Sequence, residues 1–470
     1  MLLFGNTPVV VINSMTLDCV FNVSHSHYLF CCFKFDIKQF FLASTVLVAG
    51  TSTAFAGGME VGRFNPGFMF QGGNYAELSM TSTNMDVTDD RYSPNGSMLN
   101  DMININASVN MALNDKISIG LSHYDAGKID LSYAGNGGPF AALPDPTAAA
   151  GYAAQTDPAT QAAVGAYMVT NGIADPQAGA AAAIANDPAT QAAVKQFYAG
   201  LVGLALTGQM DQTNGGALPK AAEPYVDLSF KSTALVLNYA VNDNMSVFGG
   251  VKYSTGKATG NVLSSPHGDL VADSDSAASP ILGVSYARPD IALRVSLTYQ
   301  GKAETSHATT RTYGGVTSDL APTQAALPES LTLDFQTGIA ANTLVFGSIH
   351  HAKWGDAHIY FDGASDPKTT WDDSTNVTLG VGRKLSDAWA VSASVNYEAA
   401  TENTGGSLLS TTDGSRGVTL GARYTMENMT VSLGVNHTRF GDKTVSSLAG
   451  PGEFTGNSAT TVGLNVGYSF

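Results

Sequence analysis

Cysteine is almost absent from this sequence. The only three are Cys19, Cys31 and Cys32, and none follows them in the rest of the 470 residues. Their absence beyond Cys32 excludes a disulfide framework, a thiolate metal site and a cysteine nucleophile from nearly the whole chain.

Charge and long apolar runs are scarce as well. Charged residues make up 13% of the chain, whereas about a quarter is usual for a globular protein. The formal net charge of −16, with no basic cluster, argues against nucleic-acid binding. Apart from a stretch near the N-terminus, no run approaches the ~18 apolar residues of a spanning helix. Glycine is abundant instead, with 50 residues, together with serine, threonine and asparagine.

The apolar stretch near the N-terminus has the pattern of a signal peptide. Lys38 precedes an apolar run, and small residues follow it up to Ala54-Phe55-Ala56. A basic start, a short apolar centre and an A-x-A site are the parts of a secretory signal. We predict a pre-sequence over residues 1–56, with the signal peptide at 38–56 and cleavage after Ala56. The first 37 residues fit no such pattern, and a start codon assigned too early accounts for them.

The clearest pattern in the remaining chain is strict alternation at the C-terminus. One side of it is entirely apolar or aromatic and consists of Val462, Leu464, Val466, Tyr468 and Phe470. Period two indicates a β-strand. Similar strands recur along the chain, and two of them carry Arg294 and Arg423 on their polar side. A soluble core would exclude these charges, whereas the wet interior of a membrane barrel accepts them.

Short and long connections alternate between these strands. Tight turns such as Asn114-Asp115 and Ser386-Asp387 are followed by longer polar loops, which is the plan of outer-membrane barrels with their termini in the periplasm. We predict an all-β fold, a transmembrane antiparallel β-barrel of about 14 strands, with a soluble multi-sheet protein as the alternative. The predicted strands are 75–86, 101–113, 117–133, 225–241, 245–262, 278–287, 291–307, 329–340, 343–361, 375–384, 389–400, 416–426, 429–445 and 459–470.

Two predicted strands break their own alternation. In the third strand, His123, Asp125 and Gly127 occupy the lipid-facing phase, and Ile129, Leu131 and Tyr133 then resume that phase. Polar groups are costly against lipid, so either this level lies among the headgroups or the strand kinks and turns these groups inward. In the fourth strand, the two apolar halves are out of phase, which predicts a bulge near Ser232.

One connection, residues 134–224, differs from the others because it is long, alanine-rich and internally repeated. DPATQAAV occurs at Asp157–Val164 and again at Asp187–Val194, and Asp followed by Pro is a helix start. We predict helices near 158–170, 177–185 and 188–206 in an extracellular loop. The apolar side chains of the last helix, among them Phe197, Tyr198 and Leu201, either pack on one another and plug the barrel mouth or form a groove that captures apolar ligands.

Catalytic and metal-binding patterns are missing. The sequence contains no nucleophile elbow, zincin motif or phosphate-binding loop, and we expect neither an enzyme nor a cofactor. The densest histidine group is His350, His351 and His358. Adjacent histidines on a strand face opposite sides, so we interpret them as rim residues and predict no metal site.

Two short motifs add a family resemblance. Arg63-Phe64-Asn65-Pro66-Gly67 is similar to an N-terminal Asn-Pro-Ala element, and Leu327-Pro328-Glu329 to a Leu-Pro-Glu at the head of a strand. With the signal peptide, the helical loop and the terminal Phe470, the chain resembles the FadL family of outer-membrane long-chain fatty acid transporters. The resemblance implies a monomeric barrel plugged by an N-terminal hatch, ligand capture in the helical loop, and lateral release at a kinked third strand. Here the hatch (residues 57–74, with Asn65, Pro66 and Gly67) is shorter than is usual in that family.

An anionic ligand would need an inward-facing basic group. By their parity, Lys252, Arg294, Lys302 and Arg423 face the interior, and we consider them candidates for binding a carboxylate. The alternative for each is an ordinary lumen charge paired with Glu77 or Asp334, which also face inward.

We therefore expect passive uptake of long-chain fatty acids or similar hydrophobic compounds across the outer membrane of a Gram-negative bacterium. An aromatic-hydrocarbon channel on the same scaffold is one alternative; a general porin or a structural or adhesive surface barrel is another. We expect residues 75–470 to form the barrel, and the expected partners are the ligand, outer-membrane lipids and the assembly machinery. Tyr468 and Phe470 resemble the C-terminal signal which that machinery reads.

Overall fold

The computed structural model of the chain describes residues 58–133, 135–136, 138, 143–206, 209–210, 216, 218, 224–261, 269–313, 316–361, 366–401, 407–447 and 450–470. The predicted signal peptide and the first 37 residues lie outside these ranges.

The described residues form mainly β-strands, joined by antiparallel pairing. The strands are β1 (Tyr75–Asp86), β2 (Met102–Ala112), β3 (Ile117–Ser132), β4 (Tyr225–Ala240), β5 (Met245–Asn261), β6 (Asp269–Arg288), β7 (Leu293–Gln300), β8 (Ala303–Tyr313), β9 (Val316–Leu327), β10 (Ser330–Ala340), β11 (Thr343–Ala352), β12 (Ser374–Lys384), β13 (Trp389–Glu398), β14 (Asp413–Met426), β15 (Met429–Gly441), β16 (Lys443–Ser447), β17 (Gly450–Phe454) and β18 (Ser458–Ser469).

Fourteen of these strands close into a barrel, as the sequence predicted. The strand order runs β1 to β7, then β10 to β15, then β18, which pairs back onto β1. The closing pair is in register over its full length, from Tyr75 opposite Ser469 to Asp86 opposite Ser458. The last strand therefore removes the free edge that an open sheet would leave in the membrane.

The outer surface of the barrel carries an apolar belt. Outward side chains such as Leu78, Ile103 and Leu420 are 55%, 63% and 62% exposed, and they alternate with small or polar inward residues. Water would not favour so much exposed apolar surface on every strand, whereas lipid does. The barrel is an outer-membrane barrel.

Several strand ends differ from the prediction because two extra hairpins occur on the extracellular side. β7 ends at Gln300 instead of 307, and the chain continues into the β8–β9 hairpin, which pairs with the extended start of β6. β15 ends at Gly441 and is followed by the β16–β17 hairpin. β11 ends at Ala352 instead of 361, and just beyond it Trp354 is buried and packs edge-on against Trp371.

The long connection contains four helices: α1 (Pro146–Thr156), α2 (Pro158–Asn171), α3 (Pro176–Asn186) and α4 (Pro188–Leu206). The three predicted helices are confirmed, and α1 is an additional one. Each begins at a proline that follows an aspartate, and each of these aspartates accepts a backbone N–H from the first turn. Hydrogen bonds to Thr190 lower the pKa of Asp187, which favours the charged cap. No helix among the described residues is long and apolar enough to cross a membrane.

The barrel closure makes a prediction about Phe470. Its backbone N–H donates to Asn74 O at 3.0 Å, and its ring stacks with Tyr468 at 6.2 Å. We expect deletion of Phe470 to reduce the folded fraction in the outer membrane severalfold, with Phe470→Tyr as the matched control that keeps the aromatic ring. The fraction of protein that resists unfolding in detergent measures this, and an unchanged folded fraction would refute the assembly role.

Candidate functional site

The third strand of the barrel is kinked. Its pairing with β4 shifts register between Asp125 and Gly127, so Ala126 is an extra residue in β3. A bulge of one residue reverses the parity of the strand beyond it. Ile129, Leu131 and Tyr133 are consequently buried in the interior, at 3%, 3% and 2% exposure. The interpretation that these three resume the lipid-facing phase is wrong.

The kink leaves His123 and Asp125 on the outer face. His123 is exposed and its Nδ1 lies 2.9 Å from Thr233 Oγ1, while Asp125 lies 3.6 Å from the Lys231 ammonium. Only Gly127 turns inward, where an added Cβ would lie 3.2 Å from Leu327 and 3.3 Å from Met59. The disturbed alternation in the sequence thus located the kink, but it did not show which side chains the kink turns from the outer face to the lumen.

Beyond the kink, β2 and β3 separate. They pair from Ala112 opposite Ser118 to Ala107 opposite His123, and they meet again only at the bridge between Leu99 and Leu131. Between these points, Ile105 N–H donates to the Asp125 carboxylate at 3.0 Å in place of a strand partner. The hydrogen-bond ladder of the barrel wall is therefore interrupted between β2 and β3, and we refer to this interruption as the opening.

The N-terminal segment, residues 58–74, fills this opening from the inside. Lys128 N–H donates to Met59 O at 2.8 Å, and Val61 N–H donates to Ala126 O at 3.2 Å. Glu60 lies opposite Gly127 as an antiparallel bridge. Backbone groups that the kink removes from the β2–β3 ladder are thus satisfied by this segment, as the membrane interior requires.

The hatch motif forms a tight turn inside the barrel. Asn65 Oδ1 accepts the Gly67 N–H at 2.9 Å and caps a short 3₁₀ helix, Pro66–Phe70. Pro66 and Gly67 are buried, together with Phe64, Phe68 and Met69. Although the segment is short, its large side chains belong to the buried apolar cluster inside the barrel.

Polar contacts hold the segment to the opposite wall. Glu60 Oε2 lies 2.9 Å from His350 Nε2, and His350 Nδ1 lies 2.8 Å from Thr332 Oγ1. Arg63 donates to Ser348 Oγ at 3.3 Å. Burial raises the pKa of Glu60, but His350, Arg63 and Lys252 lower it, and the net pKa lies below the ordinary value of a glutamate. Glu60 is therefore a half-buried carboxylate tied to β11 through His350. Sequence reasoning missed this role, because no local pattern relates Glu60 to His350.

The lumen beside the opening is apolar. β4 pairs with β5 without interruption from Tyr225 opposite Asn261 to Ala240 opposite Ser246, so the bulge predicted near Ser232 is wrong. Its inward residues Val226, Leu228 and Phe230 are 4%, 2% and 1% exposed. They belong to one buried apolar cluster that also includes the N-terminal segment and the inward residues of β3 beyond its kink.

The four basic candidates lie in different surroundings. Lys252 is 4% exposed on the inner face of β5, and its ammonium forms no hydrogen bond or ion pair with any residue the structure describes. Arg294 lies over the Phe70 ring, 5.3 Å from its centroid, and interacts electrostatically with Asp334. Arg423 donates to Ser432 Oγ at 3.2 Å and interacts with Tyr75 and Glu77.

The inward orientation predicted for Lys302 is wrong. It lies beyond the end of β7, its side chain is 33% exposed, and it forms an ion pair of 2.6 Å with the exposed Glu304. Because the strand ends at Gln300, the parity used for the prediction no longer applies.

The helical loop packs its apolar residues inward. Tyr198 and Leu201 are 3% and 4% exposed, and the Tyr198 hydroxyl donates to Pro144 O at 3.0 Å. Phe197 is partly buried and its ring lies 6.1 Å from that of Tyr152. At the end of α4, Ala205 joins the apolar cluster of the lumen. These positions favour packing over an open groove for the three residues.

The predicted rim histidines separate as expected for neighbours on a strand. His350 faces the lumen, whereas His351 faces outward with its Nδ1 2.9 Å from Thr375 Oγ1. Within the ranges that the structure describes, no group of three or more His, Cys, Asp or Glu side chains could hold a metal ion.

Comparison with known proteins supports this geometry at the level of the fold. No family model and no curated protein matches the sequence. A Pseudomonas aeruginosa FadL homologue is similar in structure, with a TM-score of 0.56 and 12% identity over 90% of this chain and 98% of that one. The chain has the fold of the FadL-type channels. The Pseudomonas putida toluene transporter TodX, with a TM-score of 0.52 and 12% identity over 90% and 98% of the two chains, shares it.

The likeness to FadL-type channels that the sequence suggested is therefore confirmed for the fold. The Ralstonia pickettii toluene transporter TbuX is similar at a TM-score of 0.50 and 10% identity, over 90% of this chain and 98% of that one. TodX and TbuX are described as transporters, and none of these three solved structures is described as an enzyme.

The contact between Glu60 and His350 predicts how firmly the segment is held. Glu60→Gln removes the charge from a partly buried hydrogen bond, and this loss should shift the equilibrium for local opening of the segment by roughly tenfold. We expect amide hydrogen exchange of residues 58–65 to accelerate by about that factor, while exchange in β18 stays unchanged. Exchange at the wild-type rate in the Glu60→Gln variant would show that this contact does not hold the segment.

Proposed function

We propose that this protein is a channel for passive uptake of long-chain fatty acids or similar hydrophobic compounds through the outer membrane. The observation that carries the proposal is the single apolar cluster that runs from α4 to the opening beside β3. It includes Ala205 at the mouth, Leu228 and Phe230 along the wall, and Met59 at the opening. A hydrophobic ligand would find apolar partners at each step of this route, and a polar solute would not.

The route ends at the separation of β2 and β3. A ligand that leaves there enters the apolar belt sideways, without crossing the polar periplasmic end of the barrel. Met59 and Val61 occupy the opening through backbone hydrogen bonds to β3, so the segment must move for a ligand to pass. Capture at the extracellular loop, passage along the lumen and lateral release form one continuous path.

The lumen also offers a partner for an acid. Lys252 is the candidate cation that lacks a hydrogen-bond or ion-pair partner among the described residues, and it faces the lumen from the middle of β5. A buried ammonium is costly unless an anion accompanies it. Glu60 attracts it electrostatically, and the carboxylate of a fatty acid would do the same. This favours an amphipathic acid as the ligand.

Neutral aromatic hydrocarbons are the second candidate, because TodX and TbuX, which are described as toluene transporters, share the fold. A general porin is less consistent with a lumen filled by Phe64, Phe68 and Trp354.

Blocking the opening tests the route. In Gly127→Val the added side chain must displace Met59 or Leu327, so we expect uptake of a labelled fatty acid by whole cells to slow by at least about tenfold, the effect of ~1.4 kcal/mol on a barrier. Gly382→Val is the control, because a Cβ at Gly382 meets Leu344 at an ordinary 3.4 Å. Equal uptake by the two variants would remove the opening from the path.

Neutralising Lys252 tests the ligand class. Lys252→Gln should weaken binding of oleate to the purified protein by roughly tenfold, since a charged hydrogen bond is lost. Binding of toluene should be unchanged, and Lys252→Arg should restore oleate binding. Wild-type oleate binding by Lys252→Gln would show that Lys252 does not recognise the carboxylate, and a wild-type protein that binds toluene but not oleate would replace the fatty acid with the hydrocarbon alternative.

A further inference from the structure

Three histidines on the outside of the barrel have the same environment. Each lies on the lipid-facing side, where His123 and His437 are exposed and His351 is half-buried. The Nδ1 of each lies against the hydroxyl of a threonine directly opposite on the next strand. The pairs are His123–Thr233 at 2.9 Å, His351–Thr375 at 2.9 Å and His437–Thr460 at 3.0 Å.

These pairs mark the extracellular edge of the apolar belt. Two residues below each histidine on the same face lies a large apolar side chain: Leu121, Ile349 and Val435 are 44%, 41% and 45% exposed. The residues two positions above are charged: Asp125, Lys353 and Arg439. The step from hydrocarbon to headgroup therefore coincides with the histidines at these three places.

At two of the three places, the charge above the histidine has a partner of opposite sign on the next strand or its extension. Asp125 pairs with Lys231 at 3.6 Å, and Lys353 forms an ion pair with Glu329. At these two places, a side chain of opposite sign therefore neutralises the charge above the histidine.

The third place has two cations facing each other. Arg416 on β14 lies directly opposite Arg439 on β15, and both are exposed on the same face as His437 and Val418. Neither arginine forms a hydrogen bond or an ion pair with the part of the chain that the structure describes. Like charges directly opposite on neighbouring strands are destabilising. Although the chain has a net charge of −16, no acidic side chain among the described residues pairs with these two arginines.

We propose that Arg416, Arg439 and His437 bind the phosphate of a lipid headgroup in the outer leaflet. Two guanidinium groups side by side offer the forked donors that suit phosphate oxygens. The His437 Nδ1 is already engaged by Thr460, which leaves Nε2 for the headgroup. The acyl chains of such a lipid lie along Val418, Leu420 and Val435 just below.

The neighbouring strand completes the site. Tyr397 on β13 lies directly opposite Arg416 and is 59% exposed on the outer face. Tyrosine prefers the boundary between hydrocarbon and headgroups, and its hydroxyl is a further donor at that level. The site is on the far side of the wall from the lumen and does not depend on the transported ligand.

Retention of lipid by the purified protein tests the site. Protein in phosphatidylcholine nanodiscs containing a small fraction of diphosphorylated lipid A is extracted with detergent, and the lipid that stays bound is measured by native mass spectrometry. Each arginine near a membrane contributes roughly fivefold to binding an anionic lipid, so Arg416→Gln with Arg439→Gln should reduce retention about 25-fold. The matched control, Lys231→Gln with Lys353→Gln, removes two cations at the same level and should retain lipid A like the wild type.

Two further measurements show which phosphate compound binds and whether a variant with altered binding is still folded. Dephosphorylated lipid A should be lost from the wild type, and inorganic phosphate should not displace the phosphorylated lipid. Arg416→Lys with Arg439→Lys should be folded and show an intermediate loss of bound lipid A, because the positive charges stay but the paired N–H donors of the guanidinium groups are removed. The proposal is overturned if the glutamine pair retains lipid A at the wild-type level, if the control pair loses it equally, if the dephosphorylated lipid binds equally, or if inorganic phosphate alone fills the site.

Discussion

The structure depends on one constraint, which is that backbone groups in a membrane barrel must find partners. The extra residue at Ala126 takes β3 away from β2, and the N-terminal segment supplies the missing partners through Met59 and Val61. The same bulge turns Ile129, Leu131 and Tyr133 inward and makes the lumen apolar beside the opening. A single inserted residue thus creates the opening and leaves backbone groups there that need partners. By reversing the parity of β3, it also turns apolar side chains toward the lumen beside the opening. The Glu60–His350 contact then fixes the filling segment to the opposite wall.

Much of the fold could be predicted from the sequence, because strand period and turn chemistry are local. The alternation that ends at Phe470 and the tight turns located all 14 barrel strands. The β8–β9 and β16–β17 hairpins were missed, since they are rich in Thr, Ser and charged residues and look like loops. The wrong orientation predicted for Ile129 and the bulge wrongly predicted in β4, the strand of Val226, have a common cause. The rule that apolar residues face lipid assumes a polar lumen, whereas the lumen beside β3 and β4 is apolar.

The candidate site was predictable only in part. The disturbed alternation at His123–Gly127 located the kink, because a parity change is visible in one strand. Glu60 could not be found, since its partner His350 is 290 positions away and no local pattern connects them. Lys252 was placed correctly because β5 is regular around it, whereas Lys302 was misplaced because β7 already ends at Gln300. The outer arginine pair was missed because the strand register that brings Arg416 opposite Arg439 is not visible in either strand alone.

A reversible lock across the opening tests the central claim most directly. Val61 and Ala126 are joined by a backbone hydrogen bond of 3.2 Å, and the chain beyond Cys32 contains no other cysteine, so a Val61→Cys, Ala126→Cys variant can tie the segment to β3. A control pair, Thr83→Cys with Thr461→Cys, joins two barrel strands whose side chains already touch at 2.9 Å. If the segment must leave the opening for a ligand to pass, oxidation abolishes fatty acid uptake in the first variant alone, and reduction restores it. Uptake at the wild-type rate by the oxidised first variant would contradict the account.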